Sequence, residues 1–194
     1  MGGVTENLGR NVAAGVAGLV VVVLLLASAA VGGLGSSSGA TASTGVAAIP
    51  TEVLTIYIEA SATCPGLSWT VLAAIGTVES DNGTSTAPGV DSGANFAGAE
   101  GPMQFEPSTF AEYAEPVPPD GADPPSPYDE VDAVYAAARL LCANGAANGV
   151  DVSDAIYSYN HSSSYVAEVL TLAGSYAAEP VPTGATGMVG GPPS

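Results

Sequence analysis

An all-α domain behind an apolar N-terminal segment is the fold this sequence predicts, and three observations carry it. Between turn-rich stretches, apolar residues recur at steps of three and four. No strand-like alternation of any length accompanies them. Residues 12–31, VAAGVAGLVVVVLLLASAAV, run without a charge, enough at about 1.5 Å per residue to cross the roughly 30 Å of bilayer hydrocarbon.

In chain order, residues 1–11 form a short cytoplasmic N-terminus whose positive flank is Arg10. Residues 12–31 read as a transmembrane anchor, or as a signal peptide, because Ala27, Ser28 and Ala29 offer a peptidase small side chains. Either way the chain beyond Gly32 is exported, as a single-pass membrane protein with an extracytoplasmic domain or as a secreted one. Residues 32–48 are rich in Gly, Ser, Thr and Ala without periodicity and read as a flexible linker.

Residues 49–177 are the folded unit. Its first helix opens after Pro50 and carries Leu54, Tyr57 and Ile58 on one side. Ser68 caps a second helix, through Leu72, Ile75 and Val78, which stops at Asn82-Gly83. Pro107 starts a short third helix with Phe110 and Tyr113. PVPPDGADPPSP, 116–127, excludes helix, and DEVDAVYAAARLLCANGAANG restores it, with Val131, Val134, Tyr135, Ala138 and Leu141 as its apolar face. Asp151 or Ser153 caps a helix through Ile156 to Tyr159, and a last helix carries Tyr165, Val166, Val169, Leu170 and Ala173. The remainder, 178–194, has turn formers and little to pack, and reads as a disordered tail.

Nineteen acids against two arginines and no lysine give a net charge of −17. A surface with almost no cation cannot release counterions from phosphate, so nucleic acid is excluded as a partner. Cys64 and Cys142 lie in the exported part, where thiols oxidise, and a single disulfide is the economical reading; two buried free thiols are the alternative. Asp120, Asp123, Asp129, Glu130 and Asp132 lack the alternating spacing of a calcium loop, and the lone His161 has no Cys or carboxylate cluster beside it. No metal or cofactor is expected, and the unit reads as a monomer.

Glu79 stands apart. Leu72, Ile75 and Glu79 are separated by three and four positions, so a helix aims all three at the core. Burial and the negative end of the helix dipole both disfavour a carboxylate there, and its pKa is expected to rise. An acid kept protonated near neutrality can donate to the leaving oxygen of a glycosidic bond. GPMQFEPSTF, 101–110, and YSYNHSSSYV, 157–166, add amides, hydroxyls and aromatic faces, which bind sugars without cationic groups.

Glu79-Ser80 at a helix end, then Gly101-Pro102-Met103-Gln104, then Tyr159-Asn160, resemble in type and order the motifs of the lytic transglycosylases, with their lysozyme-like SLT domain. The form GPMQF…PST, followed by PYDEVDAVYAAARLLCANGA and YNHSSSYVAEVL, is similar to the membrane-bound B-like branch of Gram-positive, high-GC bacteria. Glu100, Glu106 and Phe110 depart from that branch, at the groove wall rather than at the acid.

The resemblance implies cleavage of the MurNAc-GlcNAc β-1,4 bond of peptidoglycan glycan strands to a 1,6-anhydro product, for cell-wall remodelling. It makes Glu79 the catalytic residue and Ser80, Met103, Gln104, Tyr159 and Asn160 the substrate contacts or positioners. A hydrolytic muramidase is the close alternative, with Asp81, Asp91 or Glu100 as second carboxylate. A non-catalytic, membrane-tethered wall-binding module is the other.

Overall fold

The computed structural model describes residues 45–186. The expected anchor at 12–31 lies outside the described residues, and among those described no helix is long and apolar enough to cross a membrane. Among the described residues seven α-helices carry the fold: α1 Thr51–Ala62, α2 Trp69–Ser80, α3 Pro107–Tyr113, α4 Glu130–Leu141, α5 Val152–Asn160, α6 Ser163–Ala177 and α7 Thr183–Thr186. One antiparallel bridge, Glu100 to Phe105, is the only extended pairing among the described residues.

The helix starts follow local chemistry. Ser68, Asp129, Asp151 and Ser162 each occupy an N-cap, and their side chains accept from Thr70, Asp132, Asp154 and Tyr165 N–H respectively. Of the two caps open for α5, Asp151 is the one used. The stretch expected to continue as helix to residue 149 ends sooner, because Asn144 and Gly145 leave helical geometry after one further turn.

α2 is the central element. It packs along α6 and against α1, while α4 packs on α1 and α5. Val71, Leu72, Ala73, Ala74, Ile75 and Gly76 are all buried, so α2 touches protein on nearly every side. Gly76 is required for that: a Cβ there would collide with the Tyr57 hydroxyl, which comes in from α1. Tyr57 donates to Asn82 Oδ1 at 3.1 Å, Asn82 Nδ2 donates to Thr77 Oγ1 at 3.0 Å, and Thr77 pairs with the Tyr176 hydroxyl at 2.9 Å. This neutral network ties α1, the end of α2 and α6 together.

Two edges of the domain differ from expectation. Gly45–Ala48 form a 3-10 turn with Val46 buried, whose N–H donates to Glu179 at 2.9 Å, so the last residues of the expected linker belong to the packed unit. α7 lies in the expected tail, yet it packs on α1 with Ala185 buried. In both cases a single small apolar side chain finds a seat on the domain, which composition alone does not show.

Cys64, just past α1, is bonded to Cys142 at the end of α4, closing a loop of 78 positions. In the chain-entropy account such a closure stabilises the fold by about 4.5 kcal/mol. The proline-rich segment 116–127 is held by two charged side chains of α4, Arg139 and Asp132. Arg139 donates from Nη1 to the Tyr113 and Ala114 carbonyls at 2.9 and 2.8 Å, and from Nη2 to Pro116 at 2.5 Å. Asp132, read from sequence as one of a loose acidic group, is fully buried and accepts from Ala122 and Ser126 N–H at 3.2 and 2.9 Å.

Candidate active site

Glu79 sits in the last turn of α2. Beyond Ser80 two successive left-handed residues, Asp81 (φ 53) and Asn82 (φ 55), reverse the chain, and Asn82 N–H returns to the Gly76 carbonyl at 2.9 Å. Ser80 is buried and its hydroxyl accepts from Gly83 N–H at 2.8 Å, so it closes this turn beneath the acid. Glu79 remains partly accessible, and Oε1 accepts from the Tyr165 hydroxyl at 2.6 Å.

The Gly-Pro-Met-Gln segment is the tip of a minimal hairpin. Glu100 N–H donates to Phe105 O and Phe105 N–H to Glu100 O, each at 2.9 Å. Gly101 (φ 77) has the Pro127 carbonyl where a Cβ would stand, so the proline-rich loop abuts this turn. Gln104 takes a positive φ of 48, and its side chain spans the turn, donating from Nε2 to Gly101 O at 2.8 Å and accepting at Oε1 from Asn95 at 2.9 Å. Met103 is 1 % exposed. Its side chain fills the core, and its carbonyl accepts from the Tyr159 hydroxyl at 2.7 Å, so it holds the turn in place by packing and through its backbone.

Tyr159 therefore locks α5 to the turn. Its ring stacks parallel to Tyr165 at 6.5 Å and meets Phe105 edge-on at 5.6 Å, and Phe105 meets Phe110 at 5.8 Å. A continuous path results, from Glu79 through Tyr165 and Tyr159 to Met103, and it joins all three sequence motifs. Asn160, at the end of α5, is 4 % exposed, and its Oδ1 has no hydrogen-bond partner among the described residues. His161 caps α5 through its backbone, with φ 54, and its ring rests edge-on against Tyr157 at 5.8 Å.

Burial raises the Glu79 carboxyl from 4.5 to about 7; the Tyr165 hydrogen bond draws it down and the Glu168 charge pushes it up. Burial likewise holds the Tyr159 and Tyr165 hydroxyls well above their ordinary range, so both stay protonated as donors. A neutral carboxylic acid with one oxygen engaged and partial access to solvent can give up a proton near neutrality and take one back.

Two residues of this arrangement escaped the sequence reading. Tyr165 counted only as core, and Glu168, exposed one turn along α6, is the acid whose charge acts on Glu79. The only available signal was the i, i+3 spacing of Tyr165 and Glu168. Among the described residues no three His, Cys, Asp or Glu gather as a metal ion would need.

The family model of the transglycosylase SLT domain matches residues 56–181. Among solved structures, the chain is similar to the Escherichia coli lytic transglycosylase Slt35 in complex with bulgecin A. That likeness has 16% sequence identity and a TM-score of 0.53, and it covers 66% of this chain and 73% of that one, so it is a likeness of fold. No curated protein matches the chain. The family model spans more than half of the sequence and contains Glu79, the hairpin tip and the Tyr-Asn pair, and on that evidence this chain belongs to the transglycosylase SLT domain family, as a lytic transglycosylase.

Proposed function

We propose that the chain cleaves the MurNAc-GlcNAc β-1,4 bond of peptidoglycan and closes the muramic product into its 1,6-anhydro form. One observation supports this above the others: Glu79, raised to about 7, keeps one oxygen on Tyr165 and leaves the other for a proton in transit. In the first step that proton passes to the bridging oxygen as the bond from C1 breaks, and the GlcNAc hydroxyl departs neutral. The acetamido group of the substrate stabilises the cationic C1.

In the second step the Glu79 carboxylate removes the proton from the C6 hydroxyl, O6 bonds to C1, and the acid is restored. Tyr165 serves both halves, since its hydroxyl stabilises the carboxylate between them. Gln104, Ser80, Tyr159 and Asn160 keep the turn and the helix ends in register around that acid. The structural neighbour holds bulgecin A, in keeping with a ligand-accepting cleft on this fold.

Hydrolysis is the second reading, and Glu168 is the observation in its favour, as a charged carboxylate on the same side as Tyr165. The GPMQF…PST form supports placement in the membrane-bound B-like branch, with residues 12–31 as tether and the domain facing the wall as a monomer. The full-length chain, incubated with purified peptidoglycan, is expected to release products one water lighter than hydrolysis gives, with an anhydro end. Reducing ends would replace the lyase by a muramidase. Release that survives Glu79→Gln would remove the assignment of the acid.

A further inference from the structure

Of the three phenylalanines, Phe105 and Phe110 are buried in the aromatic row behind the turn, while Phe96 is 72 % exposed. A single exposed aromatic is ordinary. What is not ordinary is how firmly its loop is tied. Asn95 Oδ1 accepts from Ala97 and Ala99 N–H at 2.7 and 3.0 Å. Asn95 N–H donates to Ala99 O at 2.9 Å, and Gly98 N–H donates to Asn95 O at 3.0 Å. The Tyr128 hydroxyl, from the far side of the proline-rich loop, holds the Gly93 carbonyl at 2.6 Å.

The remaining end of Asn95 donates to Gln104 Oε1. Phe96 is thus displayed by a loop bonded directly to the hairpin tip. Its display is a property of the loop rather than of slack in it. A glycan strand offers neutral pyranose rings whose C–H faces are apolar, and an exposed aromatic face matches them without any charge.

We propose that Phe96 is a stacking platform for a pyranose of the glycan strand set away from the bond being cut, and so a determinant of affinity for long strands. This rests on the peptidoglycan reading above. Its loop is linked to Glu79 through Gln104, the turn and the two tyrosines, and the proposed role is in binding rather than in the proton transfers.

Two measurements test it with the full-length chain. In the first, Glu79→Gln, Glu79→Gln with Phe96→Ala, and Glu79→Gln with Phe96→Trp are sedimented with insoluble peptidoglycan. The alanine is expected to weaken binding about ten-fold and the tryptophan to retain it. In the second, Phe96→Ala alone is expected to raise KM on polymeric peptidoglycan about ten-fold, with kcat within about two-fold and Tm unchanged.

Unchanged binding and KM would overturn the proposal, as would a lowered kcat at constant KM or a lowered Tm. The sedimentation arm needs no turnover. Phe96-dependent binding in a chain that releases no anhydro product would sink the reaction proposed above while sustaining the platform.

Discussion

The Glu79 assignment makes a stability prediction that needs no substrate. Its carboxyl rises from 4.5 to about 7 because folding removes water from it. Below about pH 4.5 the group is neutral in both folded and unfolded chains and costs nothing. Between 4.5 and about 7 the unfolded chain ionises first, so stability falls as pH rises, and above about 7 the whole penalty is present. At about 1.4 kcal/mol per pH unit the ceiling is about 3 kcal/mol, and partial exposure of the side chain brings it to about 2.

Glutamine carries no charge and keeps an oxygen for the Tyr165 hydroxyl. Glu79→Gln is therefore expected to match the parent at about pH 4 and to exceed it by about 2 kcal/mol at about pH 8. Urea unfolding of both chains across that range measures the difference. A gap that stays flat with pH would mean an ordinary, hydrated acid, and the account of its proton chemistry would fall with it.

Tyr165→Phe removes a hydrogen bond that favours the carboxylate, worth about 1.5–3 kcal/mol for a charged acceptor. The alkaline limb of the pH–rate profile is expected to move up by about one pH unit, with kcat reduced about ten-fold; a limb that does not move would detach Tyr165 from the acid. Gly76→Ala is expected to destabilise by about 1–3 kcal/mol, read as Tm, because the new methyl meets the Tyr57 hydroxyl. Adding Tyr57→Phe is expected to recover most of that loss, and a neutral Gly76→Ala would show that α1 yields there.

The helices were legible wherever one face repeats at three and four residues, and α2 most of all, because Leu72 and Ile75 commit the direction in which Glu79 points. The caps at Ser68 and Asp151 were legible too, since each acts within three residues of itself. Tyr165 was not, because its partner lies 86 positions away and its spacing satisfied a core helix equally well. Met103 shows the same limit from the other side: a motif residue can be kept for packing while its carbonyl does the positioning. Asp132 was legible only as one of five acids without the spacing of a calcium loop, and only the fold of the proline-rich loop brings the Ala122 and Ser126 amides over it.

Arg139 is one of only two basic side chains, apart from His161, in the chain, and the other, Arg10, precedes the apolar run. By turning its guanidinium onto three main-chain carbonyls, the domain withdraws its lone strong cation from the outside. Copies of the molecule consequently repel one another, and any polyanion is repelled as well. Long-range attraction contributes nothing to the first encounter, and docking is decided at touching distance by shape.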